Sequence, residues 1–389
     1  MKTLKVKFSF LQIFYWSSVA CFIPFAVAFA RTKGISAIEL GIMSSLFKGA
    51  AFIGQFFWGT LSDRYQSNKR VLLVSYISLF IFSLIYYYCT NRQLILLFYA
   101  LMGFIQPPIS SNIDSWILKY FYETPEAYGP IRALGSLGYA LVSFFYGNLL
   151  IETNYTIVPV TLAILTLITL ISIFSLKDSP YNKNTIKKTI SIKDFKKLLS
   201  NNTYLILLII LFFVGLTTVS ISQMKYLIYE NMGAGVGMLG YDVALSAFAQ
   251  VPVMALIHYL IRIKTNKRIL IAIILDFVAL IVMFLTNNAY VVVGCSVLSG
   301  FAYGFMIPAY REIILYNTTS QLKTTAQGIG DAVYSSLAGI ISGVLFGSII
   351  ELFGVKTMLL ICIVIFILPL LVTIYFVNNQ KFNKTNFSH

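Results

Sequence analysis

The stretch KDSPYNKNTIKKTISIKDFKKLLS, residues 177–200, decides how this chain is organised. It holds seven lysines and two aspartates and is the only long polar run in 389 residues. A solvated linker on the membrane surface is its plainest reading. On both sides the sequence falls into apolar runs of about 20 residues, the length that crosses a hydrocarbon core of about 30 Å. Six precede it, near 8–30, 39–59, 71–90, 94–122, 125–151 and 156–176. Six follow, near 203–229, 239–261, 269–287, 290–318, 323–350 and 356–377. The expected fold is an all-α membrane protein of twelve transmembrane helices. Its expected units are a six-helix bundle at 1–176, a cytoplasmic linker at 177–200 and a second six-helix bundle at 201–389.

Composition agrees. Hydrophobic residues make up 58% and charged residues 11%, where soluble domains carry about 25% charged residues. A soluble globular protein, a disordered chain and a disulfide scaffold are excluded. Cys21, Cys89, Cys295 and Cys362 all lie in apolar segments, as buried free thiols do. The first span is too long for a removable signal peptide, and no small-residue cleavage site follows it.

The net charge of +15 raises a nucleic-acid reading, which the placement of the charges answers. With the N-terminus in the cytoplasm, 23 of the 29 basic residues lie on or towards that side. Arg31, Lys33, Arg92 and Lys356 lie on the other, and Lys48 and Lys225 fall within spans. This bias sets orientation. Both termini are expected in the cytoplasm, the membrane is expected to be the plasma membrane, and no nucleic-acid partner is needed.

The halves repeat. Asn68-Lys69-Arg70-Val71-Leu72 returns as Asn266-Lys267-Arg268-Ile269-Leu270, Leu40-Gly41 as Leu239-Gly240, and Gly103-Phe104 as Gly300-Phe301. Ser136-Leu137 and Gly147 return as Ser336-Leu337 and Gly347. A nearly constant shift implies two bundles related by a pseudo-twofold axis along the membrane normal, with substrate near the midplane between them.

A charge at the bilayer centre costs about 2.5–3.5 kcal/mol, so each one calls for a partner or a wet cavity. Thr124-Pro125-Glu126 reads as the start of the fifth helix. Asp114 and Arg132 then each lie roughly 12 Å in from adjoining helix ends, at matching depth. Ser136 and Tyr139 share the Arg132 face, and Pro107, Ser110 and Ser111 share that of Asp114. An aromatic plate beside an arginine and a carboxylate suits a sugar, through ring stacking and hydroxyl hydrogen bonds. A pair that merely ties two helices together is the other reading.

The second half shows the same pattern with signs exchanged, as Arg311 and Asp331, which suggests a second pair with a gating role. Lys48 lies near the midplane of the second span and is expected to face the cavity. Lys225 and Asp242 read as a pair near the outer ends of adjacent helices. Asp276 has no evident partner, and His258 reads as interfacial beside Arg262.

Gly59-Thr60-Leu61-Ser62-Asp63-Arg64, followed by Lys69-Arg70, resembles the signature loop of the major facilitator superfamily, with Gln66 where that loop usually has a glycine. The resemblance implies a cytoplasmic latch held by Asp63, with Arg64 as its ion-pair partner. The run Tyr128-Gly129-Pro130-Ile131-Arg132-Ala133-Leu134-Gly135-Ser136-Leu137-Gly138-Tyr139-Ala140-Leu141 resembles the fifth helix of lactose permease and its relatives. Ile23-Pro24-Phe25 and Glu351-Leu352-Phe353-Gly354 support it. That resemblance implies Asp114 and Arg132 as sugar-binding acid and arginine, and Tyr139 as the stacking residue. The sequence departs from those relatives where they couple to protons: it has Ala247, Ala279 or Leu280, Tyr303 and Met306. Gln250 stands where phenylpropionate-permease-like relatives carry an acid. Asp114 or Asp276 would have to serve in a proton symport.

Gly235-x-Gly237-x-x-Gly240 matches a dinucleotide fingerprint but follows a membrane helix and not a strand. No P-loop, nucleophile elbow or metal-ligand spacing occurs, so no cofactor, metal or enzymatic activity is expected. The sequence therefore reads as a monomeric secondary transporter of a small polar solute. A sugar or glycoside entering with protons is favoured. Asp114, Arg132, Tyr139, Lys48, Gln250 and Tyr303 are its substrate-site candidates, and Asp63, Arg64, Arg311 and Asp331 its gating candidates. Carriers of nucleosides, aromatic acids or drugs, and a non-transporting membrane sensor, stay open.

Overall fold

The computed structural model describes residues 2–122, 124, 127–178, 198, 200–255, 263–318 and 322–378. Most of the 177–200 run, Pro125, Glu126, His258 and Arg262 lie outside the described residues.

Twelve helices form among the described residues. The first six are α1 (Lys2–Thr32), α2 (Ala37–Tyr65), α3 (Asn68–Tyr88), α4 (Arg92–Tyr120), α5 (Tyr128–Glu152) and α6 (Val158–Phe174). The rest are α7 (Asn202–Asn231), α8 (Val236–Ala255), α9 (Thr265–Leu285), α10 (Ala289–Asn317), α11 (323–353) and α12 (355–378). Their starts are written in short polar side chains. Asn91, Asn201 and Asn288 each accept a backbone N–H from two or three residues on, as do Ser36 and Ser67. Ser36 and Glu39 form a reciprocal capping box, at 2.8 and 3.3 Å. Pro24, which lacks an N–H, breaks α1 into a turn of 3-10 helix at Ile23–Phe25. Gly354, at φ +83°, separates α11 from α12. Within α11 a wide π segment, Ala332–Leu337, follows Asp331.

The apolar stripes point outward. On α6, Val160, Ile164, Leu167, Ile171 and Phe174 are exposed at helical spacing, and on α12 so are Val364, Leu368, Leu371 and Tyr375. Only lipid makes such a surface favourable.

Helices α1–α6 pack into one bundle and α7–α12 into another. The bundles meet along two crossings, α2 with α11 and α5 with α8. Glycines make both possible. A methyl group on Gly347 would lie 2.9 Å from Gly41 Cα, and one on Gly147 would lie 3.0 Å from Gly240 Cα. These four glycines are the repeated ones, so a single contact occurs twice, exchanged by the pseudo-twofold axis.

The end of the molecule away from the N-terminus is sealed. Arg31 pairs with Glu230 at 3.1 Å. Glu351 accepts the Ala37 N–H at 2.7 Å, closing an orphan donor of α2 from the other bundle. Asn148 donates to the Tyr241 hydroxyl at 2.5 Å. Towards the other end Arg311 and Asp331 of the second bundle keep nearly half of each side chain exposed, and Asp114 and Arg132 of the first keep about a quarter. A cleft therefore opens on the side that carries the N-terminus.

Adding a branched side chain at Gly41 should hold the sealed end apart. Cysteines placed at Arg31 and Glu230, in a background without the four native cysteines, should cross-link several-fold less in Gly41→Val. Undiminished cross-linking would show that the crossing tolerates the extra volume.

Candidate functional site

A cavity of about 310 Å³ lies between the bundles at the closed end of the cleft. The first bundle supplies Pro24, Ser44, Phe47, Lys48, Tyr99 and Tyr139. The second supplies Gln223, Lys225, Tyr226, Asp242, Ser246, Asp276, Ser296 and Ser299. The wall thus mixes aromatic faces, hydroxyls and four charged groups, in the size range of small-ligand sites.

Of the substrate-site candidates, Lys48 and Tyr139 line this cavity; Asp114, Arg132, Gln250 and Tyr303 do not. Asp114 and Arg132 are nonetheless brought together, Nε to Oδ1 at 4.0 Å, with side chains 25% and 29% exposed. What joins them differs from the expectation of directly neighbouring helices. Helix α1 is wedged beside both. Gln12 donates to Asp114 Oδ1 at 3.0 Å. The Trp16 ring lies under the Arg132 guanidinium, 4.4 Å from centroid to Cζ. Arg132 also donates to Ser136 Oγ at 3.2 Å, which holds it along its own helix. Tyr139 meets Trp16 edge to face at 5.8 Å, so it reaches Arg132 through the indole. Sequence reasoning missed Gln12 and Trp16. Their signal was a polar and an amphipathic residue four apart, on one face of an otherwise apolar helix. Both keep a buried polar atom without a partner, Gln12 Oε1 and Trp16 Nε1.

Arg311 and Asp331 also meet, at 3.1 Å, with nearly half of each side chain exposed to the cleft. The Tyr310 hydroxyl donates to the same carboxylate. Arg311 is near enough to Asp114 for their charges to interact across the gap between the bundles. Tyr303 is 38% exposed, within electrostatic reach of Arg311, Asp331 and Arg132. Gln250 is half-buried on α8.

Lys225 and Asp242 form the pair read from the sequence, at 3.2 Å, but not at an exposed helix end. Both side chains are under 10% exposed. Lys225 donates to Ser296 Oγ at 3.0 Å, Ser296 bonds Asp242, and Tyr229 donates to Asp242 at 2.8 Å. The pair is deep because α7 runs on to Asn231, about 9 Å past Lys225. Asp276 sits on the same wall beside Ser299, within reach of the Lys225 charge.

Residues 5–361 match the MFS_1 like family. The chain belongs to this family. Among its relatives, the uncharacterized transporter YwbF of Bacillus subtilis (strain 168) is 26% identical over 299 residues, 76% of this chain and 74% of that one. The maltose permease of Geobacillus stearothermophilus is 23% identical over 377 residues, 95% and 94% of the two chains. The crystal structure of a mutant of the nucleoside transporter NupG superposes with a TM-score of 0.84 at 15% identity, covering 96% of this chain and 98% of that one. This MFS_1-like protein is thus a multi-pass membrane transporter of the major facilitator fold, and its family and structural neighbours are transporters.

The loop between α2 and α3 is the one that resembles the superfamily's signature loop, and its geometry accounts for the departure at Gln66. That residue closes α2 in the left-handed region, φ +49° and ψ +39°, where glycine is unstrained. A contact to a neighbouring helix end is made by Asp178, just past α6. It accepts the Lys69 N–H at 3.1 Å, bonds Ser67 Oγ, and so places a carboxylate at the N-terminus of α3. Lys69 reaches back to the carbonyls of Phe174 and Leu176, at 3.0 and 2.6 Å. Asp63 lines a groove with Ser115 and Lys119. Arg64 is exposed and makes no ion pair among the described residues.

Two outcomes follow for this MFS_1-like protein. Gln66→Gly should stabilise it by about 1 kcal/mol through relief of the left-handed backbone, seen as a raised melting temperature. An unchanged or lower value would remove the strain. Lys225→Met should destabilise by about 3–5 kcal/mol, because Asp242 is left buried and unpaired, and Lys225→Met with Asp242→Leu should recover most of the loss. A double variant as unstable as the single would mean that packing, not charge, dominates there.

Proposed function

We propose that this transporter moves a sugar or glycoside together with protons by alternating access. The observation that carries the reading is the Asp114–Arg132 pair with the Trp16 ring beneath the guanidinium and Tyr139 at the ring's edge. A carboxylate and a guanidinium at one depth offer bidentate acceptors and donors to neighbouring hydroxyls. Two aromatic faces offer a plate for the apolar side of a pyranose. The likeness of the Tyr128–Leu141 run to lactose permease relatives supports it, as does the similarity to a protein named maltose permease. Arg311 and Asp331 act as the gate that mirrors the pair, and Asp63, Arg64 and Asp178 as the latch of the α2–α3 loop.

In this reading the chain works as a monomer in the plasma membrane, divided at residues 177–200, with both termini cytoplasmic. The cleft then faces inward. Asp276 is the carboxyl group suited to carry the proton, since it lies on the cavity wall without forming an ion pair among the described residues.

Uptake into proteoliposomes tests the proposal. Labelled maltose or a galactoside should accumulate under an inward proton gradient, lose accumulation when the gradient is collapsed, and still exchange by counterflow. Arg132→Ala should lower affinity at least about 30-fold while the protein inserts and melts normally. Normal affinity in that variant would remove Arg132 from the site. Transport of nucleosides or aromatic acids in place of sugars would overturn the substrate class.

A further inference from the structure

One wall of the cavity, where α2, α7 and α11 meet, carries three polar groups that no part of the described protein satisfies. Ser44 Oγ and Gln223 Nε2 are buried without a hydrogen-bond partner, and Ser44 is only 3% exposed. Lys48, one turn from Ser44 on the same face of α2, makes no hydrogen bond or ion pair among the described residues.

The packing brings the three to one place. A methyl group on Gly339 of α11 would lie 2.8 Å from Lys48 Cγ and 3.2 Å from Val219 Cγ1 of α7. One turn along each helix, Ser342 donates to Gln223 Oε1 at 3.3 Å. That bond occupies the amide oxygen and leaves the NH2 group able to donate elsewhere. All three groups can donate. An ammonium, an amide N–H and a hydroxyl therefore line one seam of the cavity with nothing to donate to.

The charges of the cavity do not supply the acceptor. Asp242 is paired with Lys225. Asp276 on α9 lies on the cavity wall beside Ser299, and Lys48 forms no ion pair with it or with Asp242 among the described residues. A cation withdrawn from water without a counter-ion is costly, and a bound anion offsets that cost.

We propose that this seam is a carboxylate subsite: the transported solute carries a carboxylate that docks on Lys48, Gln223 and Ser44. A single ammonium with two neutral donors suits a monoanion, not a doubly charged phosphate. With the sugar reading above, on which the identity of the remaining part rests, the substrate class is a sugar acid such as a uronate.

Equilibrium binding to the purified full chain tests this, with D-glucuronate, D-glucose and benzoate as probes. Wild type should bind glucuronate at least tenfold more tightly than glucose. Lys48→Met should lose about 30-fold or more for glucuronate and change glucose far less, while Lys48→Arg keeps most of the preference. The melting temperature of ligand-free Lys48→Met, expected at or above that of wild type, reports its folding. Equal or better binding of glucose by wild type, or an acid preference that survives Lys48→Met, overturns the subsite. Binding of benzoate alone, lost in Lys48→Met, keeps the subsite and overturns the sugar reading. Failure of all carboxylates overturns the subsite whatever glucose does.

Discussion

Four glycines set the distance between the two bundles, and the cleft, the cavity and the sealed end all follow from that distance. Lipid tails are as apolar as the helix surfaces, so no hydrophobic force draws the bundles together; close backbone packing does. Gly41, Gly147, Gly240 and Gly347 let α2 cross α11, and α5 cross α8, with almost no side chain between them. The contacts lie in the half of each helix away from the N-terminus. The bundles are therefore pinned at one end and splayed at the other. A rocking motion about these crossings needs no new fold, only the exchange of one set of contacts for another.

The second constraint is the cost of polarity in lipid. Each charged group inside the membrane is handled in its own way. Lys225 and Asp242 are buried together with Ser296 and Tyr229. Arg132 spreads its charge over an indole face and holds Asp114 at arm's length. Arg311 and Asp331 stay half in the cleft. Lys48, half-buried on the cavity wall, has no ion-pair partner among the described residues, so the groups around it read as a place for something that comes and goes.

Much of this was legible in the residues. The spans follow from apolar length, and their starts from Ser36, Ser67, Asn91, Asn201 and Asn288. The repeat of Leu40-Gly41 and Gly147 pointed to two related bundles, and the packing places those glycines at the crossings, where no larger residue fits. Arg311 and Asp331 were found by carrying Asp114 and Arg132 across the repeat. What was not legible depended on which helix lies between two others. Sequence order suggested that α4 and α5 touch; the packing puts α1 beside both, and so Gln12 and Trp16 escaped notice. The depth of Lys225 was misjudged because α7 extends through Glu230 and Asn231, polar residues that look like a loop. The hold of Asp178 on α3 could not be read either, since it joins residues about 110 positions apart.

The π segment of α11 has a consequence for phase. A regular helix turns about 100° per residue, so Asp331 and Gly339, eight residues apart, would be about 80° out of line. A π turn takes in roughly one surplus residue, which brings that offset to about −20°. Asp331, which meets Arg311 in the cleft, and Gly339, which touches Lys48 and Val219, then fall on one strip of α11. A shortening of Ala332–Leu337 by one residue would turn that strip away from one of its two neighbours. The bulge acts as a spline, setting the angular alignment of the two ends of a single helix.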